Sequence, residues 1–353
     1  MRGARALPDM FRAFASKAAE YRAEKEIASR PNARNGTYRN SGLYLAERDA
    51  PLSRAEEAYT ANWAKRIPGV AGSQRAYNTF LNRLRADSFD AMASALPRGR
   101  TPTPAEATAI AKYINAATGR GSLGALESAA VGLNRLFFAP RYVASRFQLL
   151  GGALRVAGEA GTGFRLVSRE RRAVRTLIAR EYARTLIGYA AFYTLARLAL
   201  PDSEVETDPR SSDAGKVKIG NTRLDPLAGL QQNTVVLARL GTGETKTLRG
   251  RINPIRGEDV PRVGSTAMDV MTRFVRSKLA PWPAAVVNAL AGEDVIGRKT
   301  TVASTIESLT VPISWQDIAA AIEDQGIPRG TALGLLSIFG EGLQVYEDRD
   351  RQR

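Results

Sequence analysis

The chain has neither histidine nor cysteine among its 353 residues. No disulfide can staple it, and no thiolate or imidazole can hold a metal or haem. A zinc site would have to be built from carboxylates alone, which is unusual for zinc. The same absence excludes a Ser-His-Asp triad and a Cys-His pair. Redox compartment is left open. With 44% hydrophobic residues the chain can bury a sizeable core, and its length suits about two domains.

Charge sets the next constraint. The formal net charge is +16. Residues 101–200 hold 14 Lys and Arg against 5 Asp and Glu, whereas residues 201–353 hold 19 against 20. The basic field therefore belongs to the earlier part of the chain and points to a polyanion: nucleic acid, anionic lipid or an acidic partner. The excess of Arg over Lys fits phosphate or carboxylate recognition, and equally a GC-rich genome. Residues 1–30 lack a long apolar run and carry Glu20, Glu24 and Glu26, so no secretory signal is visible. No uncharged run reaches the ~18–20 residues that span a bilayer. A soluble protein is expected.

Apolar periodicity predicts a mainly α fold: an irregular helical bundle with one small β-hairpin insertion and a flexible N-terminal arm. Five stretches are expected. Residues 1–50 form the arm, with a solvated helix over 10–27 and a turn-rich segment over 29–36. Residues 51–200 form a basic helical region, 201–262 a hairpin-and-loop insertion with one helix, 263–346 a C-terminal helical region, and 347–353 a charged tail. Ser53 with Glu56 reads as a capping box, and Arg66-Ile-Pro-Gly69 as a break. Tyr77, Phe80, Leu81, Leu84 and Met92 predict a helix over 74–92. Thr103-Pro-Ala-Glu106 opens the next helix, which Gly119 ends. Stripes of Leu126, Ala130, Leu133 and Phe137, then of Val143, Phe147, Leu150 and Leu154, follow on either side of Pro140, with Gly151-Gly152 expected to kink or fray the second. A long helix covers about 165–200. Residues 215–225 predict a tight hairpin with Gly220 and Asn221 supplying positive φ, and a second strand pair lies around 246–252. Helices follow at 227–240, 265–279, 284–291 and 314–325, the last capped by Ser314 and Asp317 and closed by Gly326 and Pro328. A final apolar helix uses Leu335, Leu336, Phe339 and Leu343.

Two motifs resemble nucleotide loops and fail on context. Gly119-Arg-Gly121-Ser-Leu-Gly124 follows a helix instead of a strand, and no acid appears over 135–158, so it reads as a helix-to-helix turn. Gly241-Thr-Gly-Glu-Thr-Lys246-Thr247 lacks the glycine required before the lysine and reads as a C-cap and turn. The adjacent carboxylates Glu56-Glu57, Glu258-Asp259, Glu293-Asp294 and Glu323-Asp324 point about 100° apart on a helix and cannot clasp one ion alone. No catalytic residue, cofactor site or metal site is assigned, and the protein is expected not to be an enzyme.

The candidate site is a basic helix face. At 100° per residue, Arg165, Arg169, Arg172, Arg180 and Arg184 fall within one arc of about 120°. Val167, Val174, Leu177 and Ile178 fill a neighbouring arc, and Arg171 and Arg175 flank the other side. Residues 186–196 are uncharged and aromatic-rich. Such a helix lies on an anionic membrane, grips nucleic acid, or is a core helix with one wet arginine face.

Seven segments carry a resemblance as an ordered set. They are Ser73-Gln-Arg-Ala-Tyr-Asn-Thr-Phe-Leu-Asn-Arg-Leu-Arg-Ala-Asp87, Ile114-Asn-Ala-Ala-Thr-Gly-Arg-Gly-Ser122 and Asn134-Arg-Leu-Phe-Phe-Ala-Pro-Arg-Tyr-Val-Ala-Ser-Arg-Phe-Gln148, then Gly220-Asn-Thr-Arg-Leu-Asp-Pro226, Gly229-Leu-Gln-Gln232, Arg273-Phe-Val-Arg-Ser-Lys-Leu-Ala-Pro281 and Leu290-Ala-Gly-Glu-Asp-Val-Ile-Gly297. Over residues 50–345 the chain resembles the C-terminal module of phage and mobile-element large polyvalent proteins, the associated-domain family of the type numbered 38. Where that family has a more aromatic segment, this chain has Leu227-Ala-Gly-Leu-Gln-Gln232. The resemblance implies a protein of a bacteriophage, prophage or conjugative element, of a kind thought to enter the recipient cell with incoming DNA. It implies a non-enzymatic structural or delivered protein of the virion or host cytoplasm. Its partners would be other phage or mobile-element proteins, DNA or an anionic membrane surface, with no small-molecule substrate. The alternative is a DNA-binding accessory module of an anti-restriction system. The family brings no established catalytic residues.

Overall fold

A computed structural model describes residues 2–46, 70–227, 229–247, 250–255, 266–294, 299–301, 305, 313–338 and 342–346. The fold is mainly helical with small antiparallel sheets. The Ser53 capping box, the break at 66–69, Glu258-Asp259 and the charged tail lie outside the described residues. The chain divides into two compact units, residues 1–134 with 139–184, and residues 135–138 with 185–353. The division falls inside a helix, at 184/185, whereas the expected boundary lay at 200/201.

The first unit opens with α1 (Arg2–Ala15), α2 (Lys17–Ala28), α3 (Pro31–Arg34) and α4 (Thr37–Ser41). The expected flexible arm is therefore helical over these residues. Its buried face is mostly alanine: Ala6, Ala13, Ala19 and Ala23, with Ile27. Small side chains let α1 lie close against α5 (Val70–Ser94), but they give little apolar signal in a sequence. Arg75 donates from Nε to the carbonyl of Ala13 (3.1 Å) and from Nη2 to that of Phe14 (2.9 Å), satisfying carbonyls at the end of α1. Arg30 pairs with Asp87 (2.7 Å) and Asp90 (3.0 Å) on α5, and the Tyr38 hydroxyl donates to Asp90 (2.7 Å).

The predicted helix over 74–92 lies within α5. The Thr103–Glu106 capping box is complete at the start of α6 (Pro104–Ala117). A 3-10 turn (Gly124–Ala129) leads into α7 (Ala130–Leu136); Leu126 is exposed and Ala130 is the buried member of its expected stripe. α8 (Pro140–Gly161) is one continuous helix. It buries Val156 and exposes Leu154, so the expected inward stripe shifts round the helix. Gly151-Gly152 neither breaks nor frays it; a Cβ on Gly152 would meet the Tyr182 hydroxyl at 2.5 Å, so this glycine admits a neighbouring ring. The core joins Phe89 and Met92 of α5, Ile110 and Ile114 of α6, Val156, and Val174, Leu177 and Ile178 of α9 (Arg169–Ala199). Each such buried side chain contributes about 1.5–3 kcal/mol.

In the second unit, strands β1 (Glu204–Val205), β2 (Val217–Ile219), β3 (Thr222–Asp225) and β6 (Gly342–Val345) form an antiparallel sheet in the order β1-β2-β3-β6. The expected hairpin is its β2–β3 pair, with Val217 opposite Leu224 and Ile219 opposite Thr222. Gly220 has φ 58°, while Asn221 is not in the left-handed region. The turn thus needs positive φ at its first central residue only, the place glycine takes in a type II′ turn. Leu343 lies in β6 and not in a helix; it is buried opposite Leu224. The sheet packs Val217, Ile219, Leu224 and Leu343 against Ala321 of α13 (Ile313–Gln325) and Leu333 of α14 (Ile327–Ile338), with Phe192 and Tyr193 of α9 beside them. Thr222 donates to Asp324 at 2.6 Å, and Gln325 donates to the carbonyl of Ile219 at 3.0 Å.

α10 (Leu230–Thr242) runs two residues past the expected stop, so Gly241 lies inside the helix and the left-handed cap is Gly243, φ 69°. The second strand pair is β4 (Glu244–Lys246) with β5 (Ile252–Pro254). α11 (Ala267–Arg276) opens with a Thr266–Asp269 capping box, and α12 (Pro281–Ala291) follows. α13 is described from Ile313, so Ser314 lies within the helix and not at the expected N-cap position. Gly326 separates α13 from α14, and Pro328 lies at the start of α14, where a missing N–H costs nothing.

Candidate functional site

Of the five arginines expected on one arc, four lie on α9. Arg169, Arg172, Arg180 and Arg184 are all exposed, while Val174, Leu177 and Ile178 point into the core. Arg165 is exposed but off the helix. Gly163 (φ 60°) and Phe164 (φ 57°) turn left-handed after α8, and the Phe164 N–H bonds back to the carbonyl of Glu159. Arg165 therefore sits in the connection before α9 and leaves the predicted arc. The Arg184 guanidinium pairs with Glu181 one turn earlier, and Arg172 donates to the carbonyl of Val167 (3.3 Å).

The opposite side of the same stretch of α9 opens onto a cleft of about 1660 Å³, walled by α6, α8 and α9 and lined near its mouth by residues 120–122. Val174 and Ile178 form part of its floor, with Arg171, Arg175 and Tyr182 beside them. Its lining holds seven cationic side chains against two carboxylates. Both carboxylates are engaged. Glu106 takes a two-pronged contact from Arg100 (2.6 Å to each oxygen), which, together with Thr103 at the helix start, holds its carboxyl down at about 2. Glu127 takes the same kind of contact from Arg141 (2.8 and 2.6 Å), which lowers its pKa. Arg155 (3.3 Å) and Arg175 (3.8 Å) share the single carboxylate of Glu159. Lys112 and Arg171 have no ion-pair partner among the described residues. The cleft is left positive.

Three tyrosines reach this cleft: Tyr44, Tyr113 and Tyr182. The rings of Tyr113 and Tyr182 meet edge to face with centroids 5.4 Å apart, and the Tyr182 hydroxyl donates to the carbonyl of Leu149 (3.1 Å). The Arg120 guanidinium lies 3.7 Å from the centre of the Tyr44 ring. Gly121 sets the mouth. Its N–H bonds to the carbonyl of Arg141 (3.0 Å), and a Cβ there would lie 2.3 Å from the Ser145 nitrogen. The G-x-G-x-x-G stretch is thus a close-packed turn onto α8, entered from helix α6.

Sequence reasoning singled out the outer arginines and missed the cleft. Its cations and rings come from α6, α8, α9 and the segment after α4, so no local pattern marks them. The residue-by-residue signal was the placement of Arg171 and Arg175 off the main arc.

Comparison with protein-family models, with curated proteins and with solved structures finds no match. The site must be read from its own chemistry.

The second unit holds a smaller feature. Lys278 donates to Gln232 and lies 5.2 Å from the centre of the Phe274 ring, and burial lowers its pKa to about 8. Two separated sequence segments meet there. Beneath the sheet, Lys216 (3.3 Å) and Arg223 (2.8 Å) both contact the buried Asp213; burial would raise that carboxyl, and the two cations outweigh it and hold it low. No helix of the described residues is long and apolar enough to cross a membrane.

Proposed function

We propose that this chain is a non-catalytic, DNA-binding protein of a bacteriophage or other mobile element, delivered with or acting on that element's DNA. The observation that carries this reading is the line of exposed arginines Arg169, Arg172, Arg180 and Arg184 on one side of α9, anchored by the buried Val174, Leu177 and Ile178. A rigid helix holding guanidinium groups along one side, one turn apart at 169/172 and 180/184 with about two turns between the pairs, suits phosphates along a strand. The resemblance to polyvalent-protein modules supports the mobile-element setting. The alternative role, an accessory module of an anti-restriction system, uses the same contact with DNA.

A second reading has its own observation. Further along α9, in the second unit, Leu186, Ile187, Leu195 and Leu198 are exposed. Arginines followed by exposed apolar side chains suit an anionic membrane surface.

Reversal of Arg169, Arg172 and Arg180 to Glu tests both. Duplex affinity measured across salt should fall, and the slope of log K against log salt should flatten by about 0.9 for each phosphate no longer neutralised. Release from anionic vesicles with duplex binding unchanged would favour the membrane reading. Wild-type affinity for both would make the arginine face merely solvated.

A further inference from the structure

We propose that the cleft between α6, α8 and the first part of α9 is a binding groove for single-stranded DNA. This goes beyond the reading above, because the groove lies on the side of α9 opposite its exposed arginines and can be tested separately.

The volume is the first argument. At about 1660 Å³ the cleft exceeds the roughly 300–1,000 Å³ typical of small-molecule pockets. It suits a length of chain more than a single metabolite. Charge is the second. Once the two engaged carboxylates are matched with Arg100 and Arg141, the remaining lining cations are Lys112, Arg120, Arg155, Arg171 and Arg175. Two of these, Arg155 on the α8 wall and Arg175 on the α9 wall, share Glu159 as their one ion-pair partner among the described residues. The five cations are spread over three helices and a turn, Lys112 on α6, Arg120 in the turn after it, Arg155 on α8, and Arg171 and Arg175 on α9, an arrangement that can follow a backbone of phosphates through a groove.

The rings decide between single and double strand. Tyr44, Tyr113 and Tyr182 line the groove among those cations. Bases in a duplex are already stacked on one another, so aromatic side chains inside a concave cleft serve unpaired bases. Arg120, laid on Tyr44 at 3.7 Å, adds a second kind of stacking surface, since a guanidinium plane also stacks on a base. On the α8 wall Gly151 is exposed, and a Cβ there would meet nothing within 4 Å beyond its own helix, which leaves room for close approach at that point.

The experiment uses the full chain and three fluorescently labelled probes: a thymidine 20-mer, a 20-mer of the same sugar-phosphate backbone without bases, and a 20-base-pair duplex. The thymidine strand should bind at least tenfold more tightly than the abasic strand, which has no bases to stack on the tyrosines. Joint Lys112→Glu and Arg171→Glu substitution at two exposed positions should weaken thymidine-strand binding at least tenfold, with duplex binding unchanged. The salt slope for the strand should flatten by about 0.7 for each phosphate no longer neutralised. Thermal unfolding of the variant shows that it remains folded. As a measurement free of variants, photocross-linking with iodouracil-substituted strand should place adducts on Tyr44, Tyr113 or Tyr182. Equal affinity for thymidine and abasic strands, adducts confined to other residues, or wild-type strand affinity in the folded double variant would each overturn the proposal. A fall in duplex binding on reversing the outer arginines bears on the earlier reading alone.

Discussion

Arg120 lies over the face of Tyr44, its guanidinium carbon 3.7 Å from the ring centroid, and so joins the turn after α6 to the segment after α4. The contact is reinforced locally: Asn115 accepts from the Tyr44 N–H (3.0 Å) and donates to the carbonyl of Gly42 (2.8 Å). Two stretches far apart in sequence thereby make one edge of the cleft. A cation over an aromatic face contributes about 0.5–2 kcal/mol. Tyr44→Leu and Arg120→Met should each destabilise the fold by about 1 kcal/mol. A double-mutant cycle from denaturant unfolding should return a coupling of about 0.5 kcal/mol or more. Additive effects would show that the two side chains are neighbours without a shared energy.

The start of α6 makes a pH-dependent contribution. Contact with Arg100, then with Thr103, lowers the Glu106 carboxyl from its ordinary value of 4.5 to about 2. A carboxyl depressed on folding stabilises the native state above its unfolded value, and that contribution disappears as pH falls from 4.5 through about 2. Glu106→Gln should therefore lower the melting temperature at pH 7 and leave it nearly unchanged at pH 2. Thr103→Ala removes the reciprocal cap and should cost about 1 kcal/mol at either pH. Melting curves of the two variants at both pH values separate the charge from the cap.

Gly121 is where close packing is decided by one hydrogen atom. A Cβ would lie 2.3 Å from the Ser145 nitrogen and 2.7 Å from its Cα, and backbone cannot step aside as a side-chain tip can. Gly121→Ala should destabilise the protein by roughly 1–3 kcal/mol and widen the mouth of the cleft. Ser122→Ala, one residue on, removes a hydroxyl that accepts from the Gly124 N–H (3.1 Å) and donates to Glu127 (3.4 Å), a loss without a backbone clash that should cost less than Gly121→Ala. Equilibrium unfolding in urea checks the ranking.

These residues also mark what sequence patterning reveals. The capping box at Thr103 and the β2–β3 hairpin were legible because their signals are local: a cap and its answering acid three residues apart, a Gly-Asn pair between β-rich runs. The core face of α9 was legible from 3.6-residue periodicity in Val174, Leu177 and Ile178. The helix expected over 10–27 is met by the end of α1 and by α2, but the packing of the N-terminal helices was not legible, because alanine packs closely while contributing little hydrophobicity, and because Arg30 finds Asp87 and Asp90 far along the chain. Strand β6 read as helix for the same reason: Leu343 is defined by its partner Leu224 across the sheet, not by its neighbours in the chain. Arg165 shows the reverse error, where the helical period was extended over 165–168, a connection that follows the left-handed turn at Gly163 and Phe164 and precedes the start of α9 at Arg169. The cleft is the extreme case, since three helices and two connections must fold before its charges share a space.

Asp317 provides a test of the second unit. Burial on α13 raises its carboxyl from 3.8 to about 6. The sign is opposite to that of Glu106. The folded state holds the proton more tightly than the unfolded chain, so the neutral carboxyl is tolerated at low pH and its ionisation costs stability as pH rises from 3.8 through about 6. Asp317→Asn keeps the shape and cannot ionise. It should leave stability unchanged near pH 3.5 and raise it at pH 7.5 by roughly 1 kcal/mol, after discounting for the solvent that reaches a partly exposed group. The gain should be flat above pH 7, where the wild-type carboxylate is already charged. A variant equally stable to wild type at pH 7.5 would mean that the carboxylate finds solvent or a partner without cost. A variant destabilised at both pH values would mean that the carboxyl makes hydrogen bonds that an amide cannot replace.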